Sequence, residues 1–191
     1  MRSAELPRIR FAAALSLLVA CVALAGCTTA TPSWFLPEPP KIKPERVRLS
    51  YIATADLRAA SQLGPGWYEI EEGAWRWMAR EATVYLKRPQ GNNLVFEAKL
   101  YVPPNLVRTV GSTSLEILVN GGLLAREHLS HPGEHLIRHP VSPDYLRSEI
   151  VRVDLKLDRA MPPSGADKRE LGAVVTAVGL RPAAGSPGLS D

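Results

Sequence analysis

The chain has 191 residues and a formal net charge of +4, and it is 46% hydrophobic and 6% aromatic. Its charged fraction of 22% is close to that of an ordinary soluble protein. This composition excludes a disordered tail protein, a collagen-like fibre and a disulfide-dense mini-protein. The length is too short for a typical (β/α)8 barrel of about 250 residues, and it predicts one folded domain.

The N-terminus has the pattern of an export signal. Three arginines (Arg2, Arg8 and Arg10) precede an uncharged, largely apolar stretch at residues 11–25. That stretch of 15 residues is shorter than the roughly 20 that a helix needs to cross a bilayer. A basic segment followed by a short apolar one therefore predicts a signal peptide.

The signal ends in Leu24-Ala25-Gly26-Cys27, which is similar to the lipobox of bacterial lipoproteins. The resemblance implies cleavage before Cys27, a diacylglycerol on its sulfur and an acyl chain, such as palmitate, on its new amine. Several acyl chains hold a protein on a membrane far more firmly than one. We expect a lipid-anchored protein of the bacterial cell envelope. Thr28 after the cysteine resembles the outer-membrane class of Gram-negative lipoproteins. A plain secretory signal with an incidental cysteine is the alternative.

The predicted organisation is a signal peptide at 1–26, a lipid anchor and proline-rich linker at 27–45, a β-domain at 46–182 and a disordered tail at 183–191. Proline fixes φ and stiffens such a linker. Removal of residues 1–26 takes three arginines and one glutamate, so the net charge falls from +4 to +2. The remaining chain has no run of lysine and arginine, which excludes nucleic acid as an expected partner.

Period-two alternation of apolar residues runs through most of the β-domain. It predicts strands over 81–87, 94–102, 115–119, 123–129, 150–158 and 171–180, with an opening strand near 47–51. Asn120-Gly121 predicts a tight hairpin, because both residues tolerate positive φ. Helical signals are restricted to 53–62 and to one turn within 143–148. The pattern predicts an all-β sandwich or barrel.

Three segments carry a family resemblance: Gly66-Trp67-Tyr68 through Trp75-Arg76-Trp77, Val119-Asn120-Gly121, and Asp167 to Gly172. Together they resemble jelly-roll domains of the galactose-binding-like class found in bacterial surface proteins. The chain is also similar to uncharacterised lipoproteins that consist of this single domain. The resemblance implies a jelly-roll β-sandwich, and it transfers no catalytic residue.

Aromatic side chains provide the candidate ligand site. Trp75 and Trp77 are two residues apart, so in a strand they share one face and Arg76 lies on the other. Aromatic rings stack on sugar rings, and an arginine hydrogen-bonds their hydroxyl groups. The candidate ligand-binding residues are Trp67, Tyr68, Trp75, Arg76 and Trp77. The alternative is that these aromatics close one end of the sandwich, with Trp67 and Tyr68 as turn anchors.

All four histidines lie within twelve residues, at His128, His131, His135 and His139. Their spacing suits zinc on a helix, but Pro132-Gly133 forbids a continuous helix. His131, His135 and His139 are therefore weak metal candidates, and we expect surface histidines and no cofactor.

No nucleophile motif or phosphate-binding loop is present in the sequence, and the acidic cluster of Glu69, Glu71 and Glu72 is typical of a solvated turn. We therefore expect no enzyme. The sequence favours a non-catalytic binding module on a membrane-anchored lipoprotein, with membrane lipid held through acylated Cys27 and a glycan or an envelope protein as further partner. The alternative is a structural protein–protein adaptor of the cell envelope with no small-molecule site.

Overall fold

A computed structural model describes residues 48–183 of the chain. The predicted signal peptide, Cys27, the proline-rich linker and the tail beyond residue 183 lie outside the described residues. Within residues 48–183, no helix is long and apolar enough to cross a membrane.

In the described residues, ten β-strands form two antiparallel sheets. The larger sheet contains β1 (Tyr51–Ala53), β2 (Trp67–Glu71), β3 (Trp75–Met78), β5 (Leu94–Val102), β8 (Gly133–Val141) and β10 (Val174–Pro182). The smaller sheet contains β4 (Glu81–Lys87), β6 (Thr113–Val119), β7 (Gly122–Leu129) and β9 (Ile150–Leu157).

The strand order identifies the topology. The larger sheet has the order β2-β3-β10-β5-β8, with β1 also pairing with β10, and the smaller sheet has the order β4-β9-β6-β7. The eight strands from β3 to β10 therefore form two four-stranded layers, with the orders β3-β10-β5-β8 and β4-β9-β6-β7. This is the arrangement of a double Greek key. The expectation of a jelly-roll β-sandwich is confirmed.

Alternating side chains build the core between the two sheets. On β5 the residues Leu94, Phe96 and Ala98 are at most 1% exposed, while Lys99 and Tyr101 face outward. On β9 the inward Val151, Val153, Leu155 and Leu157 form the same kind of row. These are the two strands whose apolar alternation is clearest in the sequence, because each has one face in the core and one face toward solvent.

The predicted hairpin at Asn120-Gly121 is confirmed. Asn120 has φ 48° and Gly121 has φ 85°, and the two residues join β6 to β7. Positive φ at both central positions is the signature of a type I′ turn, whose twist matches that of the flanking strands.

Several local predictions need correction. The chain continues after Pro103 as a helix, α1 (Pro104–Val110), because proline suits the first helical position. The helix predicted over 53–62 is a short 3-10 helix at Leu57–Gln62, and the turn predicted within 143–148 is a 3-10 helix at Pro143–Tyr145.

The remaining corrections concern strands. Strand β8 contains His135 and His139, in a stretch for which the alternation of apolar residues predicted no strand. The last strand begins at Val174 rather than at residue 171. Trp67, Tyr68, Glu69 and Glu71 lie in strand β2, so only Glu72, with φ 51°, occupies the turn predicted for this acidic cluster.

Candidate functional site

The outward side of the larger sheet, which we call the outer face, carries the clearest candidate site. Antiparallel register places Trp77, Val174, Tyr101 and Glu134 in one row across β3, β10, β5 and β8. The next row contains Ala177, Lys99 and Leu136. Because strand side chains alternate, Trp75 lies on the same face as Trp77. The fold therefore brings the predicted tryptophan pair to the face that also holds Tyr101 and Leu136.

A groove of about 520 Å³ runs along this face, and Lys99, Tyr101, Glu134, Leu136 and Thr176 contribute to its lining. Tyr101 is 38% exposed and Leu136 is 52% exposed. Two large apolar side chains thus border the groove beside an amine, a carboxylate and a hydroxyl. Such a mixture of apolar surface and a few polar groups is typical of small-ligand sites.

Trp77 is held firmly in place. Its indole Nε1 donates a hydrogen bond of 3.0 Å to Glu71 Oε2, and its ring packs partly buried against the core. Arg169 Nη1 donates to the other oxygen of Glu71 at 2.7 Å. The N–H of Trp77 and both oxygens of Glu71 are therefore committed to this contact, and Trp77 offers a ligand only its ring.

Trp75 is different from its neighbour. It is partly buried on the outer face, and its indole N–H makes no side-chain hydrogen bond within residues 48–183. Unlike Trp77, its side chain does not pack against the hydrophobic core. Of the two tryptophans, Trp75 is the one whose ring and N–H are both available to a ligand.

Tyr68 is an anchor for the loop before β10. Its hydroxyl donates to the carbonyl of Glu170 at 2.9 Å, and the Arg169 guanidinium lies 5.3 Å from its ring centroid. Arg169 also binds Asp167 through two nitrogens, and these hydrogen bonds lower the pKa of Asp167 to about 2. Tyr68 therefore fixes the position of residues 167–170.

The side chains of Trp67 and Arg76 donate hydrogen bonds to backbone carbonyls within the domain. Trp67 Nε1 donates to the carbonyl of Thr83 at 2.6 Å, and the ring packs against the core. Arg76 is 7% exposed and points to the side opposite Trp75 and Trp77. Its guanidinium donates to the carbonyls of Thr54 and Tyr68, each at 2.8 Å. Both side chains satisfy backbone carbonyls and tie β2 and β3 to neighbouring segments.

The histidines lie on or beside edge strands. His131 and His135 have ring centroids 4.6 Å apart near the turn between β7 and β8, and His135 Nε2 lies 3.0 Å from the carbonyl of His131. His139 Nε2 lies 2.6 Å from Glu127 Oε1 on β7, so this pair links the edges of the two sheets. Within the described part of the chain, no three histidine, cysteine or carboxylate side chains converge to hold a metal ion.

A polar cluster occupies the other end of the outer face. The Glu97 carboxylate, 5% exposed, accepts hydrogen bonds from Tyr51 Oη at 2.9 Å and from Arg138 Nε at 2.8 Å. Burial raises the pKa of Glu97, but the hydrogen bonds from Arg138 and Tyr51 and the charges of Arg138 and Arg181 outweigh it, so this pKa lies below its usual value. Glu97 is therefore ionised at neutral pH.

Tyr101 and Leu136 are site residues that no motif in the sequence singles out. The alternation of β5 already places Tyr101 opposite the core residues, so that signal was present. Leu136 lay in a segment that was not assigned to a strand. No local pattern shows that β5 and β8 are neighbours, so their groove required the topology.

No protein-family model matches the chain, and no curated protein matches it. Among solved structures, the chain is similar to an acetyl xylan esterase from the rumen bacterium Butyrivibrio proteoclasticus, with 16% identity and a TM-score of 0.41. That match covers 70% of this chain and 32% of the esterase, so this chain spans only about a third of that protein.

The chain is also similar to a carbohydrate-binding module, CBM36, solved with calcium and xylotriose, with 7% identity and a TM-score of 0.41. This match covers 70% of this chain and 100% of the module. A family 35 carbohydrate-binding module from an environmental isolate matches with 9% identity and a TM-score of 0.35, covering 71% of this chain and 92% of that one.

Proposed function

We propose that this protein is a membrane-anchored lipoprotein whose β-sandwich is a non-catalytic glycan-binding module, with its binding site on the outer face of the larger sheet. The observation that carries the proposal is the groove between Tyr101 and Leu136. Both side chains are exposed there, in a domain that otherwise buries most of its large apolar side chains.

The chemistry of the groove suits a saccharide. A sugar ring has an apolar face of C–H groups and a rim of hydroxyls, so it is bound by an aromatic or aliphatic surface flanked by hydrogen-bonding groups. Tyr101 and Leu136 provide the surface, while Lys99, Glu134 and Thr176 provide donors and acceptors. Trp75, whose N–H is not engaged by the described residues, lies on the same face but outside the groove lining, on β3, with β10 between it and β5.

A non-catalytic role fits the acidic residues near the aromatics. Glycoside hydrolysis needs two carboxyl groups across a cleft, one of them available as a proton donor. Glu71 is already engaged by Trp77 and Arg169, at 3.0 and 2.7 Å. Its two oxygens are therefore occupied by contacts that hold the structure together.

A glycan array tests the binding proposal, with the purified full-length chain in mild detergent at physiological salt. We expect saccharide binding that is lost in the Tyr101→Ala and Leu136→Ala variants. Leu123→Ala is the matched control, since Leu123 is 49% exposed and lies on β7 of the other sheet. Loss of binding in the control as well would contradict the assigned site. Absence of any saccharide signal would favour the adaptor role and direct the search to envelope proteins.

The lipid anchor is tested by labelling cells with radioactive palmitate. We expect the wild-type chain to be labelled and the Cys27→Ser variant to be unlabelled and poorly processed. Labelling of the variant at the wild-type level would refute acylation at Cys27.

A further inference from the structure

Three cationic side chains lie on the outer face: Lys99 lines the groove, and Arg138 and Arg181 lie successively farther along the sheet, in the rows of Glu97 and Val95. Lys99 pairs in register with Leu136 and lines the groove itself. Arg138 follows two residues after Leu136 on β8, and Arg181 lies near the end of β10. The side chains of Arg138 and Arg181 are 60% and 51% exposed, so both guanidinium groups are open to a ligand.

Most of the donors on these cations have no acceptor among the described residues. Arg138 uses its Nε for Glu97 at 2.8 Å, which leaves its two terminal nitrogens free of side-chain partners within residues 48–183. Arg181 stacks 3.8 Å above the Tyr51 ring, and its Nε is 3.9 Å from Glu97, beyond hydrogen-bond distance. Lys99 forms no ion pair within the part of the chain that the structure describes.

The charges around these groups do not cancel. The Glu97 carboxylate lies within ion-pair distance of both arginines, and its side chain is 5% exposed. Its single negative charge offsets only one of the three positive charges. Glu134 is two residues before Leu136, in the row of Tyr101 at the other end of the groove. A ligand lying along the outer face therefore meets excess positive charge beside Leu136 and Lys99.

We propose that the bound glycan is an acidic polysaccharide, whose carboxylate or sulfate groups are held along the sheet by Lys99, Arg138 and Arg181 while its sugar rings contact Tyr101 and Leu136. This inference rests on the proposed glycan-binding function and specifies its ligand. Arginine's planar fork of donors matches an oxyanion group, and the stacking of Arg181 on Tyr51 holds that fork in one orientation.

The test compares charged and neutral probes by isothermal titration calorimetry on the full-length chain in mild detergent. The probes are oligogalacturonate, which carries carboxylates, heparin oligosaccharide, which carries sulfates, and neutral cello-oligosaccharide. The test variants are Arg138→Gln, Arg181→Gln and Lys99→Gln. Arg126→Gln is the matched control, because Arg126 is 62% exposed but lies on β7 of the smaller sheet, paired with Glu116.

We expect at least one acidic probe to bind more tightly than the neutral probe, and roughly tenfold more weakly to each test variant, the loss of one charge-assisted hydrogen bond. The control variant should bind like the wild type. Raising salt from 0.1 to 1 M should weaken acidic binding, since the screening length falls from about 10 to about 3 Å. The acidic probe that binds identifies the oxyanion as carboxylate or sulfate.

Equal binding of neutral and acidic probes, unchanged in the three variants, would overturn this inference and leave the glycan-binding function standing. Failure of all three probes on the wild-type chain, together with a blank array, would overturn both. Arg138→Gln removes a partner of the buried Glu97 carboxylate and risks misfolding. Lys99→Gln supplies an independent result, because Lys99 is exposed and forms no ion pair in residues 48–183.

Discussion

The two tryptophans of β3 should differ in how much they stabilise the fold, with Trp77 contributing more than Trp75. Trp77→Phe keeps an aromatic ring, although a smaller one, but loses the 3.0 Å hydrogen bond from Nε1 to Glu71. Glu71 keeps its bond to Arg169, so we expect a cost of about 1 kcal/mol in the free energy of unfolding. Trp77→Ala also removes the ring. Burial of about 100 Å² of an aromatic side chain stabilises by about 2.5 kcal/mol, which brings the total to roughly 3–4 kcal/mol.

Trp75→Ala should cost about 1 kcal/mol, because Trp75 makes no side-chain hydrogen bond among the described residues and is not packed against the core. Urea unfolding of the full-length variants, followed by far-ultraviolet circular dichroism, measures the three free energies without relying on tryptophan fluorescence. The expected order of cost is Trp77→Ala, then Trp77→Phe, with Trp75→Ala near the latter. A Trp75→Ala cost equal to that of Trp77→Ala would refute the division, as would a Trp77→Phe variant as stable as the wild type.

Two further predictions concern stability. Gly179→Ala should lower the unfolding free energy by about 1–3 kcal/mol, since a Cβ there would lie 2.4 Å from Tyr51 Cα; an unchanged melting temperature would contradict this close approach of β1 to β10. Arg169 lowers the pKa of Asp167 from 3.8 to about 2, so this pair stabilises the fold fully above about pH 4 and less as pH falls toward 2. Melting temperatures from pH 7 to pH 2 should therefore fall less steeply below pH 4 in Asp167→Asn; a pH profile parallel to the wild type would argue against the linkage.

The sequence predicts well those elements whose physics is local. Strands β5 and β9 each separate a buried face from an outward one, so their period-two pattern identifies both the strand and its core residues. Asn120 and Gly121 specify a turn through their own backbone preferences. The all-β fold class follows from several such segments, because apolar faces of this period must be buried by packing one sheet on another.

The candidate site depends on contacts between distant segments, and its details could not be read from local pattern. Arg76 is predicted to face away from the tryptophans, and it does, but its burial depends on the carbonyls of Thr54 and Tyr68. Arginine side chains are mostly exposed in folded proteins, so the residue type alone predicts the opposite of the burial observed for Arg76. Likewise, the roles of Trp67 and Trp77 are decided by Thr83 and Glu71, which no spacing rule identifies.

The two outer faces of the sandwich differ in how their charges are used. The smaller sheet pairs cations with carboxylates along its surface: Arg126 with Glu116, Arg152 with Asp154, and Lys156 with Glu81. The larger sheet instead buries Glu97 beneath two arginines and leaves Lys99 unpaired among the described residues, beside exposed Tyr101. Exposed ion pairs contribute about 0–1 kcal/mol each, so leaving Lys99 unpaired has little effect on stability. Its main consequence is for binding, because unpaired donors and an uncovered ring are available to a ligand on the larger sheet, whereas the three pairs on the smaller sheet must first be broken.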